Sequence, residues 1–284
     1  MATVTADPVE SRALSDVRRR GPNRGARCWA AAWPKVLAVG LFFGAWQVVV
    51  WTGWKPEYIV PSPFTVVNQL VHDLTDLSSS AWVTLRRAAV GFALAIVIGG
   101  VLGIAVARSR VLRAGVGSMI TGLQTMPSVA WYPLALVLFS LSQKAILFVV
   151  VLGAAPSIAN GIIDGIDHVP PVLLRAGRVL GARGLASLRH VVVPAAMPSV
   201  VSGLKQGWAF AWRSLMAGEL ITTLPGHIGL AQQLSAAAAN ADYVAVYETM
   251  LVIFMIGVVV DALIFGTAER RIRRRHGLID AASA

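Results

Sequence analysis

Three charged side chains, Lys205, Arg213 and Glu219, interrupt the otherwise apolar run AAMPSVVSGLKQGWAFAWRSLMAGELITT at residues 195–223. A charge near the centre of a bilayer costs about 2.5–3.5 kcal/mol on insertion scales, so it must face protein or water. On a helix of 100° per residue, Lys205 and Glu219 fall about 40° apart on one face. They are about 21 Å apart along the axis, too far to pair. Arg213 lies about 80° round from Lys205 and about 12 Å further on. Two fixed cations at different depths, flanked by Trp208 and Trp212, suit stepwise contact with a small anion. The planar fork of Arg fits sulfonate, nitrate or carboxylate. The plainer alternative is that Arg213 pairs with Glu219, or with an acid on another helix, and only holds a bundle together.

A second set of residues lies just upstream. The segment VLLRAGRVLGARGLASLRHVVVPAAMP, 172–198, carries Arg175, Arg178, Arg183, Arg189 and His190 between two long apolar runs. Such a segment cannot lie in lipid and must face the cytoplasm or another protein. Gly181 is a poor helix interior and a good C-cap, so it is expected to divide the segment into two short helices.

Other chemistry is missing from the chain. There is no G-x-x-x-x-G-K-[ST] phosphate loop and no G-x-S-x-G elbow. The five His residues, at 72, 168, 190, 227 and 276, are scattered, and the single Cys28 excludes an intrachain disulfide or a cysteine-based metal site.

The elements that must position these residues follow from composition. Of 284 residues, 56% are hydrophobic and only 14% charged, with a mean hydropathy of +0.67. Val36–Trp54, Ala88–Ala107, Ala114–Gln143 and Ala145–Ile163 contain no Asp, Glu, Lys or Arg. A span needs about 20 apolar residues. The pattern predicts an all-α integral membrane protein with six spans, at 35–54, 84–107, 114–141, 144–164, 195–222 and 245–268. With the N-terminus inside, the inner segments hold 19 of the 25 Lys and Arg residues, while the outer loops hold only Lys55 and Lys144. That bias places both termini, and the loop at 165–194 between the fourth and fifth spans, in the cytoplasm. The net charge of +11 is thereby explained by topology and contact with anionic lipid, not by nucleic acid.

Residues 1–34 form a basic segment expected to be disordered in the cytoplasm, 35–268 the membrane domain, and 269–284 a basic cytoplasmic tail. Arg86 and Arg87 are expected near the outer end of the second span, with their long side chains reaching toward the surface. Apolar spacing predicts a short amphipathic helix over 64–74. Gly91, Gly99 and Gly103 share one face of the second span, as for close helix packing. In the third span, Pro127 and Pro133 each remove a backbone donor; irregular backbone at that depth survives only when protein buries it or a wet cavity borders it. Asp261 is expected to be structural, meeting Arg270–Arg275 or a neighbouring helix.

The 172–198 segment resembles the cytoplasmic docking loop of bacterial ABC-importer permeases. Their pattern is E-A-A, three residues, G, nine residues, I-x-L-P. Here Arg175, Ala176 and Gly177 are followed at the same spacing by Gly181, then by Val191, Val193 and Pro194, with Ala182 after the glycine. Arg175 replaces the family's Glu. The outer PSP at 61–63 followed by a short helix, Pro127, Ala130, Pro133 and Leu134 in the third span, and AWRSLMAGEL in the fifth resemble the nitrate/sulfonate/taurine branch, most of all its aliphatic-sulfonate members. The resemblance implies a permease subunit of the bacterial plasma membrane, itself no enzyme and holding no cofactor. It implies a separate ABC ATPase subunit that binds ATP and docks on the loop, an extracytoplasmic solute-binding protein, and a permease homodimer. Pro127, Lys205, Trp212 and Arg213 are the expected pathway residues.

Overall fold

The computed structural model describes residues 24–222, 226 and 228–275, and every regular element among them is helical. Most of the expected basic N-terminal segment, and the end of the expected C-terminal tail, lie outside the described residues. Five stretches are long and apolar enough to cross a membrane: Trp33–Trp51, Leu74–Arg108, Gln143–Asp167, Leu185–Ile221 and Tyr243–Ile272. The chain divides into two units, Met1–Thr65 and Val66–Ala284.

In the first unit, α1 spans Arg24–Trp51, with Pro34 inside it. Gly53, with φ of +63°, terminates the apolar run that α1 carries. Ser62 then accepts a hydrogen bond from the Thr65 backbone at 3.2 Å and so caps α2, Pro63–His72, which has a proline as its first residue. This is the short helix that the spacing at 64–74 predicts.

The second unit is built around α3 (Leu74–Arg108), α6 (Gln143–Asp167) and α9 (Val193–Ile221). Helix α3 starts ten residues before the expected second span, because Leu74–Val90 contains neither Gly nor Pro to stop it. Ser78 and Ser79 turn their hydroxyls back onto the carbonyls of Thr75 and Asp76, which lets polar residues extend the helix.

The stretch expected as one span at 114–141 is instead two pieces. Helix α4 covers Arg110–Thr125, Met126 and Pro127 are extended, a tight turn covers Ser128–Trp131, and α5 covers Tyr132–Phe139. The break falls at Pro127, while Pro133 sits in the first turn of α5, where its missing N–H costs nothing.

Helix α6 is the central element, packed by α3 on one side and α9 on the other. Glycine makes both approaches possible. A Cβ at Gly99 would stand 2.5 Å from the Ala155 carbonyl oxygen, and one at Gly103 would stand 2.9 Å from that of Ala159. On the far side, a Cβ on Gly161 or Gly203 would stand 2.6 Å from the other's Cα. The glycine face predicted for the second span is thus its contact with α6. Ile146, Val150, Ile158, Trp208, Leu215 and Phe265 fill the core between the helices.

After α6 come α7 (Pro171–Val179), α8 (Leu185–Ser187) and a wide π turn at Leu188–Val192 that runs directly into α9. Beyond α9 lie α10 (Leu230–Ala239), α11 (Tyr243–Val260), a second π turn at Asp261–Phe265 and α12 (Gly266–Arg275).

Candidate functional site

The three charges of α9 have three different environments. Glu219, in the last turn, is completely buried. Its carboxylate accepts from Arg87 Nη1 at 2.8 Å, from Thr84 Oγ1 at 3.0 Å and from the Ala231 backbone at 3.4 Å. Thr84 Oγ1 also accepts from the Leu230 backbone at 2.9 Å. The carboxylate and the hydroxyl therefore satisfy N–H groups at the start of α10, where helical partners are lacking. Gly229 leaves room for this, since a Cβ there would run into the Glu219 carboxylate. Gln232 closes the corner, accepting from the Gly229 backbone and donating to the Thr222 carbonyl. Arg87 does not reach toward a surface as expected: only 4% of it is exposed. Its guanidinium joins α3 to α9, so the alternative pairing of Arg213 with Glu219 is not the one formed.

Lys205 is half-exposed and faces two acids, with Nζ 3.4 Å from Asp261 and 4.0 Å from Glu269. Asp261, the first residue of the second π turn, finds a partner on the neighbouring helix α9.

Arg213 is different. Among the described residues no carboxylate pairs with it. Its Nε donates to the Ala209 carbonyl at 3.2 Å and its guanidinium lies 4.7 Å from the Phe210 ring centre. These contacts hold the head group against its own helix, and the terminal nitrogens have no hydrogen-bond partner among the described residues.

Arg213 borders two hollows. One is an apolar groove of about 830 Å³ between α9 and α11, lined by Trp212, Met216, Met250 and Phe254, with Asp261 as its acid. Trp212 is held there by stacking on Trp208, with ring centres 6.0 Å apart. The other is a cavity of about 310 Å³ at the break after α4, bordered by Gln124, Pro127, Ser128 and Gly153. The structure thus brings Pro127 and Arg213 to one cavity and Trp212 beside it, and sets Lys205 apart against Asp261.

Sequence reasoning did not single out Gln124, Ser157 or Asn160. Gln124 donates to Ser157 at 3.0 Å and accepts from Asn160 at 3.2 Å, forming a polar string along α6. Their only signal was polarity within apolar runs.

The loop at 171–194 has the geometry that Gly181 predicts. Gly181 has φ of +83°, its N–H donates to the Arg178 carbonyl at 3.1 Å, and the Ala182 N–H donates to the Gly177 carbonyl at 2.8 Å. This is a Schellman stop, which ends α7 and reverses the chain. Gly177 is buried against Val191: a Cβ there would stand 2.8 Å from Val191 Cγ2. The first and second halves of the motif are in this way clamped together. Arg175, Ala176, Arg178, Arg183, Val193 and Pro194 are exposed, and Ala182 is half-buried. At the base of the loop, Arg113 grips Asp167 with two hydrogen bonds of 2.8 Å, tying α4 to α6.

Residues 91–274 match the family described as binding-protein-dependent transport system inner membrane component, and the chain belongs to that family. Its relatives include a protein of Methanocaldococcus jannaschii described as an ABC transporter permease, 29% identical over 80% of this chain and 88% of the relative. The nitrate import permease protein NrtB of Leptolyngbya laminosa is 29% identical, over 84% of this chain and 86% of its own. The bicarbonate transport system permease protein CmpB of Synechococcus elongatus is 32% identical over 52% of each chain. In fold, the chain is similar to the MetNI methionine ABC transporter in an inward-facing conformation, with a TM-score of 0.55 and 20% identity over 68% of this chain and 93% of the other.

Proposed function

We propose that this chain, as a member of that family, is the membrane-spanning subunit of an ATP-driven importer that carries a small oxyanion across a bacterial plasma membrane. The observation that carries the reading is the continuity of the loop with the charged helix. The clamped, Schellman-stopped turn at 171–187 passes through the π turn into α9 without a flexible linker, and α9 carries Arg213. Motion imposed on the loop is therefore delivered to the residue suited to the anion.

A separate ATPase binds and hydrolyses ATP and docks on Arg175–Gly177, Gly181, Ala182 and Val191–Pro194. A solute-binding protein delivers the permeant from outside, and a second copy of the chain completes the path. Six membrane crossings, with the broken α4–α5 stretch as the third, put both termini and the loop in the cytoplasm. The basic segments 1–34 and 269–284 flank the membrane domain 35–268. Pro127, Trp212 and Arg213 border the path; Lys205 joins it by exchanging Asp261 for the permeant. Resemblance of the sequence favours an aliphatic sulfonate, and the named relatives add nitrate and bicarbonate as the nearest alternatives.

Gly181→Asp tests the coupling. It places a Cβ and a charge on a backbone at φ of +83°. With an ATPase encoded beside the permease, the wild type should co-purify the ATPase and support ATP-dependent anion uptake in proteoliposomes that also receive the binding protein. Gly181→Asp should insert in equal amount and lose both. Unchanged co-purification and uptake in the variant would remove the loop from the docking role.

A further inference from the structure

We infer that the cavity at the Pro127 break is a subsite for a small oxyanion, with Arg213 as its charge and the Gln124–Ser157–Asn160 string as its polar extension. The inference rests on the proposed anion transport for its biological meaning, but on geometry for its chemistry. Gly153, which borders the cavity, lies in the middle third of α6 (Gln143–Asp167), a helix of span length, well inside both of its ends. A guanidinium at that depth is costly unless something uses it. Here Nε and the ring of Phe210 fix the head group while its remaining nitrogens have no partner among the described residues.

The residues bordering the cavity are also one-sided in charge. They include no Asp or Glu, whereas Arg213, Gln124 and Ser128 supply donors. Such a wall repels cations and fits an anion. Ser214 gives an independent sign. Its hydroxyl is fully buried, has no hydrogen-bond partner among the described residues, and packs against Gly153 so closely that a Cβ there would collide with it. A buried hydroxyl without a partner is unusual in a native protein. Gln124 retains one amide hydrogen after donating to Ser157, and Asn160 likewise after donating to Gln124. Two further amide donors, on Gln124 and Asn160, therefore continue from the cavity toward α6. The volume of about 310 Å³ admits nitrate, bicarbonate or a short alkyl sulfonate.

The test needs neither ATPase nor binding protein. Ser128→Cys is made in the full chain with Cys28→Ser and reconstituted in liposomes. It is treated with the anionic sulfonatoethyl or the cationic trimethylammonioethyl methanethiosulfonate, with rates normalised to a free thiol. Field focusing in a charged cleft should favour the anionic reagent by about tenfold or more. Adding Arg213→Gln should abolish that preference, while Arg213→Lys should keep much of it. Nitrate, bicarbonate and methanesulfonate, each compared with gluconate at equal ionic strength, should slow labelling, and the most protective one identifies the oxyanion class. Gln124→Leu should weaken that protection without changing the charge preference. Absence of labelling, equal normalised rates for the two reagents, or a preference that survives Arg213→Gln would overturn the subsite. Failure of ATPase docking or ATP-dependent uptake would instead overturn the transporter reading and leave these rates untouched.

Discussion

Arg213 and Arg87 carry the same group to opposite ends. Arg87 is sealed against Glu219, and its removal leaves a carboxylate with no cation in a fully buried corner. Breaking one partner of a buried pair costs about 3–5 kcal/mol. Arg87→Leu should therefore lower the thermal midpoint of the detergent-solubilised protein sharply, while Arg87→Leu combined with Glu219→Leu should recover part of the loss. Equal midpoints for Arg87→Leu and wild type would show that the pair does not hold the bundle. Arg213 should behave in the reverse manner. Arg213→Gln should leave the midpoint and the assembly unchanged and cut anion uptake, because no carboxylate among the described residues pairs with its charge. These distinctions were not legible in the sequence. Arg87 and Glu219 are 132 residues apart, Thr84 and the Leu230 backbone are 146 apart, and no periodicity links them. The intramembrane cost of charge marked Lys205, Arg213 and Glu219 as residues needing partners, but could not say which partner each would find.

Among the elements, local signals were legible and long-range ones were not. Pro127 breaks its span and Gly181 ends α7, because each acts through its own backbone. The glycine face of α3 was readable from spacing, but its target, α6, was not. The face makes a sharp expectation. Gly99 and Gly100 are neighbours in sequence, yet a Cβ at Gly99 collides with the Ala155 carbonyl while one at Gly100 meets nothing within 4 Å. Gly99→Val should destabilise by about 1–3 kcal/mol or prevent stable insertion, as overpacking does. Gly100→Val should be close to neutral. A thermal-shift comparison in detergent reads both, and similar midpoints for the two variants would contradict the packing. The start of α3 was misplaced because hydrophobicity marks where a helix enters lipid, whereas only a stop signal marks where it begins.

At the scale of the whole molecule, the cation bias predicts the orientation. Arg183→Cys and Ser235→Cys, each with Cys28→Ser, should report opposite sides in intact cells treated with an impermeant maleimide. Ser235→Cys should label directly, and Arg183→Cys only after permeabilisation. Labelling of Arg183→Cys from outside would reverse the topology and take the loop away from any cytoplasmic ATPase. Composition was enough to read the class, since long uncharged runs have few soluble solutions. The arrangement of α3, α6 and α9 around one another was beyond it, because every apolar face looks alike until shape decides which two meet.

Shape is most restrictive where α6 crosses α9. Gly161 and Gly203 meet there with only hydrogen between their backbones, each barring a Cβ on the other. Elsewhere in a core, an enlarged residue can be tolerated once its neighbour shrinks. Here neither neighbour has an atom to give up. A change at one position has no compensating change at the other, so the sequence cannot drift away from this crossing by single steps. Any variant that does so must move one whole helix at once.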